Sequence, residues 1–361
     1  MLCPYRSDTR QEETDLRRTG IWCLLVLLTA SACSAESGSG EFRIIYSLED
    51  SRHEGEQTTN TRKYVIGIVP KVQNIVYFLA AKDGAQEAAR DYGVDVIYEG
   101  PPIADADEQI RVIRNLMRRG VDALAVSVND PQKLLPVLLD ARLQGIRVIT
   151  WDADTLPEGR EFFVNMVNPE VLGRHLMDTL AWHMGEEGDY AILTSTLSAP
   201  NQNEWLKWMK IQQKEHYPNL NLLTIAETGD DPRKAYEAAK QLLQDYPGLQ
   251  GVIGVASVAP PAAAQVVREA GLSGKVKVVG LSTPSLMAEY LLDGSAQMAT
   301  LWSPKKLGYL TVALAIQLLN GQYPFDGQRI QKVGNIRVKG DTVIMGEPLD
   351  FTAKNVTQYD F

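Results

Sequence analysis

Past residue 33 this chain has no cysteine. Its three cysteines, Cys3, Cys23 and Cys33, all lie near the N-terminus, so a domain built from the rest holds no disulfide, no cysteine-rich metal site and no cysteine nucleophile. Its stability must come from an apolar core. Basic excess is missing too: 36 Lys and Arg stand against 45 Asp and Glu, a net charge of −9, with the cations spread along the chain. Nucleic-acid binding needs a basic face to neutralise phosphates, so no nucleic-acid partner is expected. Motif chemistry is equally scarce. There is no GxGxxG after the first apolar strand run, no GxxxxGK[ST], no GxSxG and no HExxH, and the four histidines are scattered. No cofactor, metal or catalytic residue is expected.

What is present begins with an export signal. Arg17 and Arg18 precede an apolar run from Ile21 to Leu28, which ends in Ala30-Ser31-Ala32. A positive flank, a short apolar centre and small residues at a cleavage site suit export, and the run is too short to span a bilayer. No second run reaches spanning length. The cysteine that follows the small residues resembles the lipobox of bacterial lipoproteins, which implies that Cys33 is lipidated and becomes the mature N-terminus. An ordinary secretory signal with a chance cysteine is the alternative. The acidic residues upstream, Glu12, Glu13 and Asp15, are unusual for a signal. On either reading the working protein sits outside the cytoplasm, in the periplasm or on the outer face of the cell membrane, with membrane attachment through lipid only.

Residues 34–61 are rich in Ser, Gly, Glu, Thr, Asn and Gln and read as a flexible tether. About 300 residues remain, enough for two ordinary domains. From Tyr64 short apolar runs alternate with amphipathic segments. Strand Tyr64 to Val69 is followed by helix Ala80 to Tyr92, strand Val94 to Tyr98 and helix Asp107 to Arg119. That second helix places Ile110, Ile113, Leu116 and Met117 on one face and closes at Gly120. Strand Asp122 to Val128, helix Pro131 to Gln144 and strand Ile146 to Trp151 repeat the cycle. It restarts after Glu170 and runs through strands Tyr190 to Thr194, Leu222 to Glu227, Gly251 to Val255, Val276 to Leu281 and Gln297 to Trp302. Apolar strands separated by helices of this length predict an α/β fold of two doubly wound parallel-sheet lobes.

Ligands in such folds bind beyond the carboxyl ends of strands. Those loops carry Lys71 and Asn74, with Phe78 close behind; then Asn129, Asp152, Asn201 and Gln202, Ser257 and Trp302. Carboxylates and amides match hydroxyl pairs, an amine donates to ring oxygens, and aromatic faces cover the C–H patches of a sugar. A polyhydroxylated ligand fits that mixture. Each residue also has a plainer reading. Asp152 could make a turn, Lys71 could be a solvated loop lysine, and the Asn201 to Asn203 run could cap its helix. Phe78 and Trp302 could pack the core, and Asn129 could end its segment before Pro131.

The segments Gly67-Ile-Val-Pro-Lys71, Asn129-Asp-Pro131, Val148-Ile-Thr-Trp-Asp-Ala-Asp154, Asn201-Gln-Asn-Glu-Trp205, Gly280-Leu-Ser-Thr-Pro284, Leu301-Trp-Ser-Pro304 and Tyr359-Asp-Phe361 occur in one order. From Tyr64 to the C-terminus the chain resembles the type I periplasmic sugar-binding proteins of ABC importers, in the branch holding rhamnose-binding and autoinducer-binding (Lsr-type) receptors. The resemblance implies two lobes joined by a three-crossover hinge, residues 62–166 plus 303–335 and residues 167–302 plus 336–361, behind a 1–33 signal segment. It implies a monomer that captures a monosaccharide or autoinducer-like small molecule between the lobes and delivers it to a membrane permease, with no reaction catalysed. Lys71, Asp152 and Gln202 match ligand-contacting positions of the autoinducer receptors. Asn201 stands where those receptors carry an aspartate, and Val255 and Ser257 where they carry proline and alanine. These departures favour a rhamnose-like deoxyhexose over the furanosyl autoinducer. An exported sugar-active enzyme using Asp152 and Asp130 as acid and base is the rival from another class.

Overall fold

The computed structural model describes residues 62–361; the export signal, Cys33 and the tether lie outside the described residues. The first set of elements is β1 (Val65–Val69), α1 (Val76–Tyr92), β2 (Asp95–Tyr98), α2 (Ala106–Arg118), β3 (Ala123–Val126), α3 (Pro131–Leu143), β4 (Arg147–Trp151) and β5 (Phe163–Asn165). The second is α4 (Pro169–Met184), β6 (Gly188–Thr194), α5 (Pro200–His216), β7 (Leu220–Glu227), α6 (Pro232–Asp245), β8 (Gly251–Gly254), α7 (Ala259–Glu269), β9 (Lys277–Leu281), α8 (Pro284–Leu292) and β10 (Met298–Leu301). Helix α9 (Pro304–Leu319) follows, then a short hairpin of β11 (Arg329–Ile330) and β12 (Gly334–Asn335). Strands β13 (Arg337–Lys339), β14 (Thr342–Ile344) and β15 (Leu349–Phe351) end the chain.

Local chemistry marks the helix ends. Proline occupies the first turn of α3, α4, α5, α6, α8 and α9, where its missing N–H is no loss. Asp105, Asp130, Asn168, Asp231 and Ser303 accept hydrogen bonds from the free N–H groups of their helices. Helix α1 has no such cap; Ile75 precedes it. The helix therefore begins at Val76 rather than at the expected Ala80, and Tyr77 and Phe78 lie in its first turn.

Two sheets result, in the orders β13-β14-β5-β4-β3-β1-β2 and β15-β10-β9-β8-β6-β7. Every neighbouring pair is parallel except β13 with β14 and β15 with β10. The chain passes between the sheets after β5, after β10 and between β14 and β15. This is the expected pair of doubly wound lobes with three crossovers. One boundary differs. The range 336–361 drawn for the second lobe divides, because β13 and β14 extend the first lobe's sheet through β5, and only β15 joins the second. These strands are three residues each, and β14 and β15 join their sheets through partners distant in sequence, so no local pattern places them.

Register does the positioning. Val69 pairs level with Val126, and Val126 with Thr150, so the loops after β1, β3 and β4 emerge side by side. In the second lobe Leu193 is level with Gly254, and Gly254 with Gly280. In both sheets the first strand of the lobe lies between its second and third, so the chain winds outward in opposite directions and opens a crevice there. Helix α9 is pressed hard on α1. A Cβ at Gly84 would stand 1.8 Å from the Lys305 carbonyl oxygen, and one at Gly308 would stand 1.9 Å from that of Ala81. Only glycine permits this backbone contact.

Candidate functional site

Asp152 sits one residue past β4 with φ of +61°, a left-handed conformation uncommon outside glycine. The Ala153 N–H donates back to the Trp151 carbonyl at 2.6 Å, closing a tight three-residue turn that aims the carboxylate inward. Tyr77 Oη donates to Oδ1 at 2.8 Å and Ser127 Oγ to Oδ2 at 2.6 Å. Trp302 Nε1 in turn donates to Tyr77 Oη at 3.0 Å. Burial pushes the Asp152 carboxyl above its ordinary range, while Lys71 and the two hydroxyls pull it back. Burial, and then the neighbouring Asp152, raise the Tyr77 phenol well above its usual value, so it remains a donor. A carboxylate has about four acceptor sites, so roughly two remain for a ligand.

Lys71 is buried in the loop after β1. Its Nζ lies 3.6 Å from Asp230 Oδ2 on the other lobe, too far for a good hydrogen bond, so its donors are available. The loop is held from behind. Asn129 Nδ2 donates to the Lys71 carbonyl at 2.8 Å, and Gln109 Nε2 donates to the carbonyls of Pro70 and Ser127. Gln109 Oε1 accepts the Asn129 N–H at 3.0 Å. Asp230, after β7, is fixed by Ser195 Oγ donating to Oδ2 at 2.8 Å. Lys71, Asp152 and Asp230 bring one amine and two carboxyl groups to the same cavity, so donors and acceptors face it together.

Gln202 is buried in the first turn of α5. Its Oε1 accepts from Thr194 Oγ1 and from the Ser195 N–H. That network fixes the amide so that Nε2 is the group left to donate. Asn201 is half-buried; its Oδ1 accepts the Gln202 N–H at 2.9 Å. Neither residue is the N-cap of α5, which is Ala199. These side chains line one small cavity of about 30 Å³, partly open to solvent, with Phe78, Trp205, Trp302 and Ser257 completing its wall. Trp302 meets Tyr77 edge-on at 6.1 Å and tilts against Trp205 at 6.0 Å. Above it the lobes touch: Ser198 Oγ donates to the Asn129 carbonyl at 3.2 Å.

Seven of the nine expected residues therefore meet: Lys71, Phe78, Asp152, Asn201, Gln202, Ser257 and Trp302. Two do not. Asn74 is exposed and takes up a left-handed turn with φ of +68°, so it lines the outer mouth instead. Asn129 is buried behind Lys71, and its amide is consumed by backbone. Asp130, the second carboxylate of the enzyme reading, caps α3 by accepting from the N–H groups of Gln132 and Lys133. Asp154, close to Asp152 in sequence, is instead clasped by the Arg160 guanidinium at 2.7 and 2.8 Å. Tyr77, Trp205 and Asp230 also line the cavity and were left out of the expectations. Asp230 stood in a readable place, the run Thr228-Gly-Asp-Asp-Pro232 directly after an apolar strand. Among the described residues no group of three His, Cys, Asp or Glu side chains is placed to hold a metal.

Comparison with known proteins agrees with this architecture. Residues 66–323 match the family model described as a periplasmic binding protein domain. A solute-binding protein of an ABC transporter from Clostridium phytofermentas, solved with bound L-rhamnose, is 30% identical with a TM-score of 0.77, over 82% of this chain and 98% of that one. LsrB from Clostridium saccharobutylicum, solved with AI-2, is 26% identical with the same TM-score, over 82% and 100% of the two chains. The D-ribose/D-allose-binding protein of Pseudomonas aeruginosa is 24% identical over 272 residues, 72% of this chain and 83% of its own length. With the family model covering most of a chain of this fold, the protein belongs to the periplasmic binding protein family.

Proposed function

We propose that this protein is an extracytoplasmic receptor that captures a neutral monosaccharide, a rhamnose-like deoxyhexose by preference, and hands it to the permease of an ABC importer. The observation that carries this reading is the convergence of Asp152, Lys71, Asp230 and Gln202 with four aromatic side chains on one small cavity between two lobes. Acceptors and donors alternate around it, and Trp302, Trp205 and Phe78 supply the apolar surface that a sugar's C–H face needs. A ligand touching both lobes stabilises the closed arrangement over an open one, and that difference is the signal a permease reads.

The protein is read as a binding protein without catalysis, because the curated relatives it resembles are sugar-binding proteins and Asp130, the partner carboxylate of the enzyme reading, is committed to a helix end. It is further proposed to be a monomer, held to the outer face of a membrane by a lipid on Cys33. A second reading, a receptor for the furanosyl autoinducer, is favoured by the retained Lys71, Asp152 and Gln202 and by the likeness to an AI-2-bound structure. The neutral Asn201, where those receptors carry a carboxylate, weighs against it. Isothermal titration calorimetry with L-rhamnose, D-ribose, D-xylose and the autoinducer separates the two. Micromolar or tighter binding of a sugar is expected, and heat from none of the four would refute the receptor reading.

A further inference from the structure

Asn201 and Trp205 each have two sides. On one they wall the cleft cavity; on the other they wall a second chamber between the hinge and the start of α5. Phe163, Ile344 and Trp208 give this chamber apolar surface, and Asn165, Glu204 and Thr342 give it hydrogen-bonding groups. It comprises about 460 Å³ and is open to solvent. Trp208 is held firmly, with its indole N–H donating to Glu204 Oε1 at 3.1 Å and the Arg174 guanidinium 5.1 Å from the ring.

The two shared residues differ in how tightly they are fixed. Trp205 is buried against Trp302. Asn201 is half-buried, and among the described residues its side chain makes one hydrogen bond, to the N–H of the next residue. A side chain so lightly tied can swing aside or offer its amide to an oxygen passing through. The cleft's other opening, around Asn74 and Asp230, is lined by prolines, aliphatic residues and loop polar groups with no aromatic ring. Aromatic and hydrogen-bonding surfaces occur together only on the Asn201 side.

We infer that the natural ligand is a sugar bearing a glycosidic substituent, its ring in the cleft and its aglycone or second ring passing Asn201 into this chamber. The inference rests on the sugar-receptor reading and adds the ligand's class. A bare monosaccharide leaves the chamber to water; a glycoside covers its apolar wall as well.

Calorimetry with L-rhamnose and 4-nitrophenyl α-L-rhamnopyranoside tests it, on the wild-type protein and on Thr342→Trp. Thr342 lines the chamber and not the cavity, so the new indole fills the chamber alone. The glycoside is expected to bind wild type at least as tightly as rhamnose. Thr342→Trp is expected to weaken the glycoside about tenfold or more while leaving rhamnose within about twofold. Trp208→Ala, which removes apolar wall without adding bulk, is expected to weaken the glycoside selectively and stands in if the first variant does not fold. Rhamnose binding with the glycoside excluded, or glycoside binding that neither variant alters, overturns the inference and leaves the receptor reading intact. If wild type binds neither, the pair is repeated with D-ribose and D-xylose and their 4-nitrophenyl glycosides. Silence from all of them sinks the receptor reading and this inference together.

Discussion

Replacing Asp152 by Asn should separate binding from stability. In the wild type the carboxylate accepts from Tyr77 and Ser127 and keeps roughly two acceptor sites toward the cavity. An amide has one oxygen, so the NH₂ group faces either the Tyr77 or the Ser127 hydroxyl and loses its acceptor role toward the ligand. Each hydrogen bond from a hydroxyl to a buried carboxylate contributes about 1.5–3 kcal/mol. Loss of one of them weakens affinity by about 10- to 140-fold, at 1.4 kcal/mol per tenfold. Stability should move the other way. The folded-state carboxyl lies above its unfolded value because burial disfavours the charge. The folded state thus binds this proton more tightly, so the contribution of Asp152 to stability is greatest at low pH and is lost as pH rises through the folded value. At neutral pH the variant removes a buried charge and should melt no lower than wild type in the absence of ligand. Asn is chosen over Ala because Asn tolerates the left-handed backbone at φ +61°. Calorimetry with whichever sugar binds, and thermal unfolding without it, are the assays. Unchanged affinity, or a collapse in melting temperature, would refute the reasoning.

Two further outcomes follow from the packing and the charges. Gly84→Ala should destabilise by about 1–3 kcal/mol, because its methyl would meet the Lys305 carbonyl oxygen of α9 at 1.8 Å; denaturant unfolding checks this, and an unchanged midpoint contradicts the contact. His175 Nε2 lies 2.8 Å from Asp350 Oδ1. The hydrogen bond with Asp350 raises the His175 value; burial would raise that of Asp350, but His175 and Thr300 hold it low. The His175 share of stability is present below its unfolded value and lost as pH rises through the folded one. The Asp350 share is present above its own unfolded value and lost as pH falls. The melting-temperature gap between wild type and His175→Gln should therefore be widest between about pH 4 and 6.5 and narrow on either side. A gap that grows above that range would contradict the pair.

The two-lobe fold was legible because strands buried on both faces read as unbroken apolar runs such as Ala123–Val126 and Val278 to Leu281. Lys71, Asp152 and Gln202 were legible for a related reason: polar residues directly after such runs have little to do for the core. The same logic overreached at Asn129, whose amide serves the backbone of the Lys71 loop, and at Asn74, which answers a turn. A strand-end position says where a side chain starts and not which hydrogen bond it satisfies. Tyr77 went unselected although Phe78 beside it was chosen, because its bridge from Trp302 to Asp152 joins partners far apart in sequence that no local pattern links. Strands β13 and β14 left no trace, since Arg337–Lys339 and Thr342–Ile344 are short, and they join the first lobe's sheet only where β14 pairs with the distant β5.

Crystallography of the complex with the sugar that calorimetry selects tests the central claim most directly. The account expects one ring enclosed between the lobes, with hydroxyls within hydrogen-bond distance of Asp152, Lys71 and Gln202 and a C–H face against Trp302 or Trp205. A sugar bound elsewhere on the surface, with that cavity still closed to it, would contradict the account.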